Sequence, residues 1–95
     1  DNTKPTIILK DVRILSVKKF GKNKEHIRCI VVDKNNMSIN HSLIANIFRI
    51  DEIKNIDQIL QKPNIVCDLI GTLSINKWMN LINIQFIVDD IIVEE

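Results

Sequence analysis

The amino-acid sequence predicts an all-β domain with one short helix, and three observations favour this class. Isoleucine dominates a hydrophobic fraction of 45%, and β-branched isoleucine packs well on a pleated sheet. Apolar and polar residues alternate over most of the chain with the two-residue period of half-buried strands. The three- and four-residue period of a helix appears only between Phe48 and Pro63. Ninety-five residues are the length of one domain.

The elements are predicted in the order β-β-β-α-β-β. The predicted strands cover residues 7–20, 25–33, 37–45, 64–78 and 81–93. The first strand is expected to bend near residues 10–11, and Gly71 to mark a bulge in the fourth. The helix is expected to make about three turns, to present a stripe of Ile50, Ile53 and Leu60, and to stop at Pro63.

Five short antiparallel strands cannot bury both faces of a flat sheet in so small a chain, so the sheet is expected to curl into a barrel that the helix plugs. This order is that of a five-stranded OB-fold (oligonucleotide-binding) barrel. An SH3-like barrel and an α+β sandwich are the alternatives. Residues 1–6 are interpreted as the remnant of a linker from a longer polypeptide, and residues 7–95 as the domain.

The net charge of +1 is unevenly distributed. Residues 10–34 carry eight basic and three acidic side chains, a net +5, and the remainder carries −4. A basic patch attracts polyanions, although lysines at a turn often serve only solvation.

Several other functions find little support. No apolar run reaches the roughly 20 residues of a membrane span, and no signal peptide is visible, so we expect a cytoplasmic protein without a membrane partner. Cys29 and Cys67 are interpreted as buried, reduced thiols. The strand period puts His26 and Cys29 on opposite faces, and likewise the neighbours Asp89 and Asp90, so neither pair suits a metal. We therefore predict no catalytic residue, no metal site and no cofactor in this domain.

The best candidate site is a nucleic-acid interface. In an OB barrel, ligands bind the outer face of strands two and three, between the first-to-second and fourth-to-fifth loops. The residues expected to converge there are Lys18, Lys19, Lys22, Lys24, His26, Arg28, Lys77 and Trp78. Lysines would neutralise phosphates, and Trp78 would stack on a base or, alternatively, cap the barrel mouth. Phe20 and Phe86 are assigned to the core.

Three segments add a family resemblance. Residues 24–30 (KEHIRCI) are similar to the K-x-H-L-R-L-x second strand of the C-terminal OB domain of RecJ-type single-strand-specific exonucleases. Residues 72–78 (TLSINKW) resemble the L-x-x-N-x-W/F entry into the last loop of that domain, and residues 84–91 (IQFIVDDI) its closing strand. Two departures are Asn80 in place of the usual glycine and a loose match at Ile44, Ala45 and Phe48 in the third strand.

The resemblance implies a module that binds single-stranded DNA for a 5′–3′ exonuclease acting in DNA recombination and repair in bacteria. It implies that the hydrolytic chemistry, with Mn²⁺ or Mg²⁺, belongs to catalytic domains elsewhere in the same polypeptide. A monomer is expected. Two alternatives remain open: an OB domain used for interdomain or protein–protein packing, and an RNA-binding OB domain.

Overall fold

A computed structural model describes residues 4–36, 38–48, 50–62 and 64–93. Its strands are β1 (Ile7–Phe20), β2 (His26–Asp33), β3 (Leu43–Ile47), β4 (Val66–Trp78) and β5 (Leu81–Val93). They close into a barrel in the order β1-β2-β3-β5-β4. Every neighbouring pair is antiparallel except β3 and β5, which are parallel. This closed five-stranded barrel with one short helix confirms the predicted OB-type fold.

The two predicted irregularities in the long strands are present. The pairing of β1 with β4 shifts register between Leu9 and Val12. There Asp11 has a φ of 57°, and its N–H donates a hydrogen bond of 2.9 Å to Oδ1 of the buried Asp68. The pairing of β4 with β5 shifts register at Gly71. Bulges bend a strand, and these bends let β1 and β4 follow the curvature of the barrel.

The inward faces of the strands form one core. Ile27, Cys29 and Val31 alternate inward along β2, as the sequence predicts. Phe86 is the largest fully buried side chain. The other buried members of this core cluster are Val12, Ile14, Ala45, Ile47, Ile59, Cys67, Leu69, Val88 and Ile91.

The helical region differs from the prediction. A single 3₁₀ turn, Ile50–Glu52, precedes a helix of six residues, α1 (Ile56–Gln61). Asn55 separates them because it adopts a left-handed φ of 67°, and its Nδ2 donates a 3.0 Å hydrogen bond to the Ile91 carbonyl. Ile59, not Leu60, is the helical residue buried in the core, so the expected stripe was wrong at that position. The expected stop at Pro63 lies outside the described residues.

The third strand is shorter than predicted. It begins at Leu43, and Ile39–His41 forms a 3₁₀ turn instead. Side chains of the preceding loop bond to nearby backbone: Asn36 Oδ1 accepts from the Ser38 N–H, and Ser38 Oγ from the Asn40 N–H, both at 3.3 Å. Such local bonds compete with a strand ladder. Met37 and residues 1–3, 94 and 95 lie outside the described residues, and the linker–domain division remains a prediction.

A β-hairpin arm projects beyond the barrel. We call residues 73–84 the arm, because β4 and β5 pair there with each other and no longer with β1 or β3. The loop expected at residues 76–80 is only a two-residue turn, Met79 and Asn80, since Trp78 pairs with Leu81. Ile82 and Ile84 continue the inward face of Phe86, as predicted, but they are exposed because no barrel strand covers them.

Candidate nucleic-acid interface

The outer surface of β1, β2, β3 and β5 forms a continuous face, which we call the outward face. Its positions follow from the strand register, which pairs Lys18 with Arg28, Arg28 with Asn46, and Ile44 with Gln85. Its members are Ser16, Lys18, Phe20, His26, Arg28, Ile30, Ile44, Asn46, Phe48, Asn83, Gln85 and Ile87. The listed positions carry the cations Lys18 and Arg28 and no carboxylate, whereas two carboxylates border them: Glu25 beside His26, and the exposed Asp89 two residues after Ile87 in β5.

One end of the outward face carries a cluster of three rings. The His26 ring lies 5.2 Å from Phe20 and 5.2 Å from Phe48, and the two phenylalanine rings are 6.0 Å apart. The Arg28 guanidinium stands 5.1 Å from the Phe20 centroid, within cation–π range. Phe48 is 43% exposed. An exposed ring beside a cation, supported by two half-buried rings, has the parts of a base-stacking site.

A hydrogen-bonded chain holds Arg28 in place across three strands. Arg28 Nε donates to Asn46 Oδ1 at 3.2 Å, and Asn46 Nδ2 donates to Gln85 Oε1 at 2.6 Å. Asn46 is almost completely buried, so its geometry is fixed by packing as well as by these bonds. The Arg28 side chain is thus held by a partner on β3, and such preorganisation lowers the entropy cost of binding.

The turn between β1 and β2 is built around Gly21 and Glu25. Gly21 has a φ of 101°, and Glu25 Oε2 accepts a 2.8 Å hydrogen bond from the Asn23 N–H. Backbone hydrogen bonds, and then the nearby His26, hold the pKa of Glu25 below its usual value. The Nε2 atom of His26 lies 3.2 Å from Glu25 Oε1. Lys22 and Lys24 are exposed on this turn.

The lysine-bearing turn between β1 and β2 and the indole of Trp78 lie at opposite ends of the strands. The turn leads into the start of β2, which pairs with the last residues of β3. The arm tip leads into the start of β5, which runs parallel to β3, so the tip lies beyond the first residues of β3. The parallel register puts Ile47 level with Val88 on β5. Val88 is seven residues of extended chain from Leu81, a distance of roughly 23 Å. The two elements therefore bracket the outward face instead of forming one cluster. Trp78 is 72% exposed and does not cap the barrel mouth.

Strand alternation divides the eight predicted residues. Lys18, His26 and Arg28 lie on the outward face. Trp78 lies on the same side of the sheet, because it pairs with Leu81, and Leu81 alternates along β5 with the same phase as Gln85. Lys19 pairs with Ile27, an inward position, and points to the other side of β1. Lys77 pairs with Ile82 and lies on the opposite side of the arm from Trp78. Lys19 and Lys77 therefore lie off this side, and Trp78 lies roughly 23 Å from the lysine-bearing turn, so the expected convergence of all eight residues was wrong.

Sequence reasoning missed four residues of this surface. Phe20 is half-buried on the outward face and not in the core, which corrects its assignment, whereas Phe86 is in the core as expected. Phe20 is two residues after Lys18 in β1, so alternation along the strand already put both side chains on the same face. Phe48, Asn46 and Gln85 come together only through strand pairing.

The other chemical groups do not form a reactive site. In the described ranges, no three His, Cys, Asp or Glu side chains come together as a metal-binding group. Burial raises the pKa of the Cys29 thiol to about 12 and that of Cys67 to about 11, and both thiols are free. No described helix has the length and apolarity needed to span a bilayer.

The family model of the RecJ OB domain matches residues 1–90 of the chain. The chain belongs to the RecJ OB domain family. No curated protein and no solved structure gives a significant match. An OB barrel by itself is a binding module and not a catalytic one, so in this RecJ OB domain the outward face, with its cations and rings, is the site to explain.

Proposed function

We propose that this RecJ OB domain binds single-stranded DNA across its outward face and positions the strand for the catalytic core of a 5′–3′ exonuclease acting in DNA recombination and repair. The observation that carries the proposal is the juxtaposition of the hydrogen-bonded Arg28 with the Phe20–His26–Phe48 ring cluster. The metal-dependent hydrolysis belongs to domains outside this chain.

Each part of the surface has a distinct role in the proposal. Lys18, Lys22, Lys24 and Arg28 neutralise phosphates, because they are exposed cations along one edge of the face. The exposed ring of Phe48 stacks on a base, a contact worth about 1–3 kcal/mol in such sites. Between this end and the tip of the arm, roughly 23 Å of strand surface suits the shorter OB-fold sites of about four nucleotides.

Fluorescence anisotropy with labelled oligo(dT) and a salt titration tests the proposal. Four phosphate contacts predict a slope of log K against log salt of about −3, since each contact on a single strand contributes roughly 0.7. Lys18→Ala should reduce the slope by about 0.7. The matched control is Lys54→Ala, an exposed lysine two residues before α1 that is not a member of the outward face, which should leave the slope unchanged.

Two outcomes would count against the proposal. Absence of binding at low salt would contradict a nucleic-acid interface and favour a domain used for packing against other domains. Tighter binding of oligo(U) than of oligo(dT), lost in Phe48→Ala, would assign the same face to RNA.

A further inference from the structure

We propose that the tip of the arm contacts the end of a DNA duplex, so that the domain recognises the junction between double-stranded and single-stranded DNA. This inference rests on the proposed function, because the single strand of the junction occupies the outward face.

The tip concentrates large apolar side chains in solvent. Trp78, Met79 and Leu81 are 72%, 74% and 66% exposed; Trp78 and Leu81 form the last pair of the hairpin, and Met79 lies in the turn that joins them. Single exposed apolar residues are common, but a contiguous group marks a binding surface. The arm carries this group beyond the barrel, where no other element packs on residues 78–81 in the described part of the chain.

The turn holds Met79 in an unfavourable backbone conformation. Met79 and Asn80 have φ values of 49° and 68°, the signature of a type I′ turn. Such turns prefer Asn-Gly or Asp-Gly, since residues with ordinary side chains resist positive φ. Backbone strain of this kind clusters at ligand-binding and other functional sites. A large, exposed apolar side chain at this strained corner therefore points to a contact made by its thioether.

The surroundings of the tip favour nucleic acid over protein as the occupant. Residues 72–88 contain no acidic side chain, and Lys77 is the one charged residue among them. The side of the arm shared with Trp78 carries only polar groups between the tip and the outward face, namely Ser74, Asn76, Asn83 and Gln85. This side leads from Arg28 to the indole without a repulsive charge.

A terminal base pair matches the shape and chemistry of the tip. It offers a flat apolar surface, and apolar side chains stack on or insert between base pairs in many DNA complexes. The tip lies roughly 23 Å from the lysine-bearing turn, so a duplex would end where the single-strand path over the outward face begins.

The test compares a DNA hairpin carrying an oligo(dT) tail with the same tail alone, and the readout is the ratio of the two affinities. We expect the wild-type domain to bind the tailed hairpin roughly tenfold more tightly. Trp78 is the only tryptophan of the chain, so quenching of its emission by the tailed hairpin reports the contact directly.

Met79→Asn is the decisive variant. It removes the apolar side chain and places a residue that tolerates positive φ, so the melting temperature should rise, by about 5 °C, while the affinity ratio falls towards one. Loss of the ratio in a more stable protein cannot come from unfolding. Ile8→Thr, which removes an exposed apolar side chain from β1, is the matched control and should keep the ratio.

Three results would overturn the inference. An affinity ratio of one in the wild type, with normal oligo(dT) binding, refutes the junction contact and leaves the proposed function intact. Binding of neither DNA refutes both. Self-association that depends on Met79, without a preference for the tailed hairpin, would assign the tip to a second copy of the chain.

Discussion

Gly71→Ala changes one hydrogen to a methyl group where β4 closely approaches the backbone of β5. A Cβ at this position would overlap the carbonyl oxygen of Ile87 and would lie 2.9 Å from its carbonyl carbon and 3.0 Å from Cε2 of Phe86. The Ile87 atoms belong to the backbone of β5, and Phe86 is fully buried, so neither neighbour can move aside without opening the sheet. Overpacking of a core costs about 1–3 kcal/mol, and a backbone overlap belongs at the upper end.

We therefore expect Gly71→Ala to destabilise the domain by about 3 kcal/mol. For a chain of this size each kcal/mol lowers the melting temperature by about 4–8 °C, so the expected decrease is about 12–24 °C. Far-UV circular dichroism is the suitable assay. The exposed indole of Trp78 changes its environment little on unfolding, so intrinsic fluorescence would underreport the transition.

Gly21→Ala provides an internal comparison. Its Cβ would approach Glu25 Oε1 to 2.8 Å, but a flexible carboxylate can rotate away, so the main cost is the φ of 101°. That cost is about 1–2 kcal/mol. Ser16→Ala, on the exposed surface of β1, serves as the neutral control. A Gly71→Ala protein that melts within a few degrees of the wild type, or above Gly21→Ala, would refute the reasoning.

Three further predictions concern buried polar groups and thiols. Asn46→Ala should cost about 1–3 kcal/mol in denaturant unfolding and weaken oligo(dT) binding, because Arg28 loses its partner; unchanged affinity would show that this order is irrelevant to binding. Asp68→Ala should cost a similar amount by leaving the N–H at the β1 bulge unsatisfied, and Asp68→Asn, which keeps an acceptor oxygen, should cost less. Burial raises the pKa of Cys29 from 9.0 to about 12 and that of Cys67 to about 11, so iodoacetamide at pH 8 should label both thiols far more slowly in native protein than in urea. Because the unfolded thiols ionise near pH 9, the stability that the protonated thiols contribute is complete below pH 9 and is lost as the pH rises towards 11–12. Equal labelling rates in native and unfolded protein would contradict the raised pKa values.

The barrel and its order of elements could be predicted because they depend on local patterns. Alternation along β2 assigned Ile27 and Cys29 to the core, and Gly71 identified a bulge, since both signals reside in neighbouring residues. The helix was predicted too long because Asn55 adopts a left-handed conformation before α1. Its side chain bonds to the Ile91 carbonyl, 36 residues away. No pattern within residues 48–63 contains that information.

The sequence by itself determined which residues alternate, which segments turn and which family the chain resembles. Only the tertiary structure decided that Phe20 and Phe48 meet at His26, and that Asn46 links Arg28 to Gln85. Such contacts depend on the register between strands that are distant in the chain. A shift of one residue in register would move every side chain to the opposite face, and that register is set by the closure of the whole barrel.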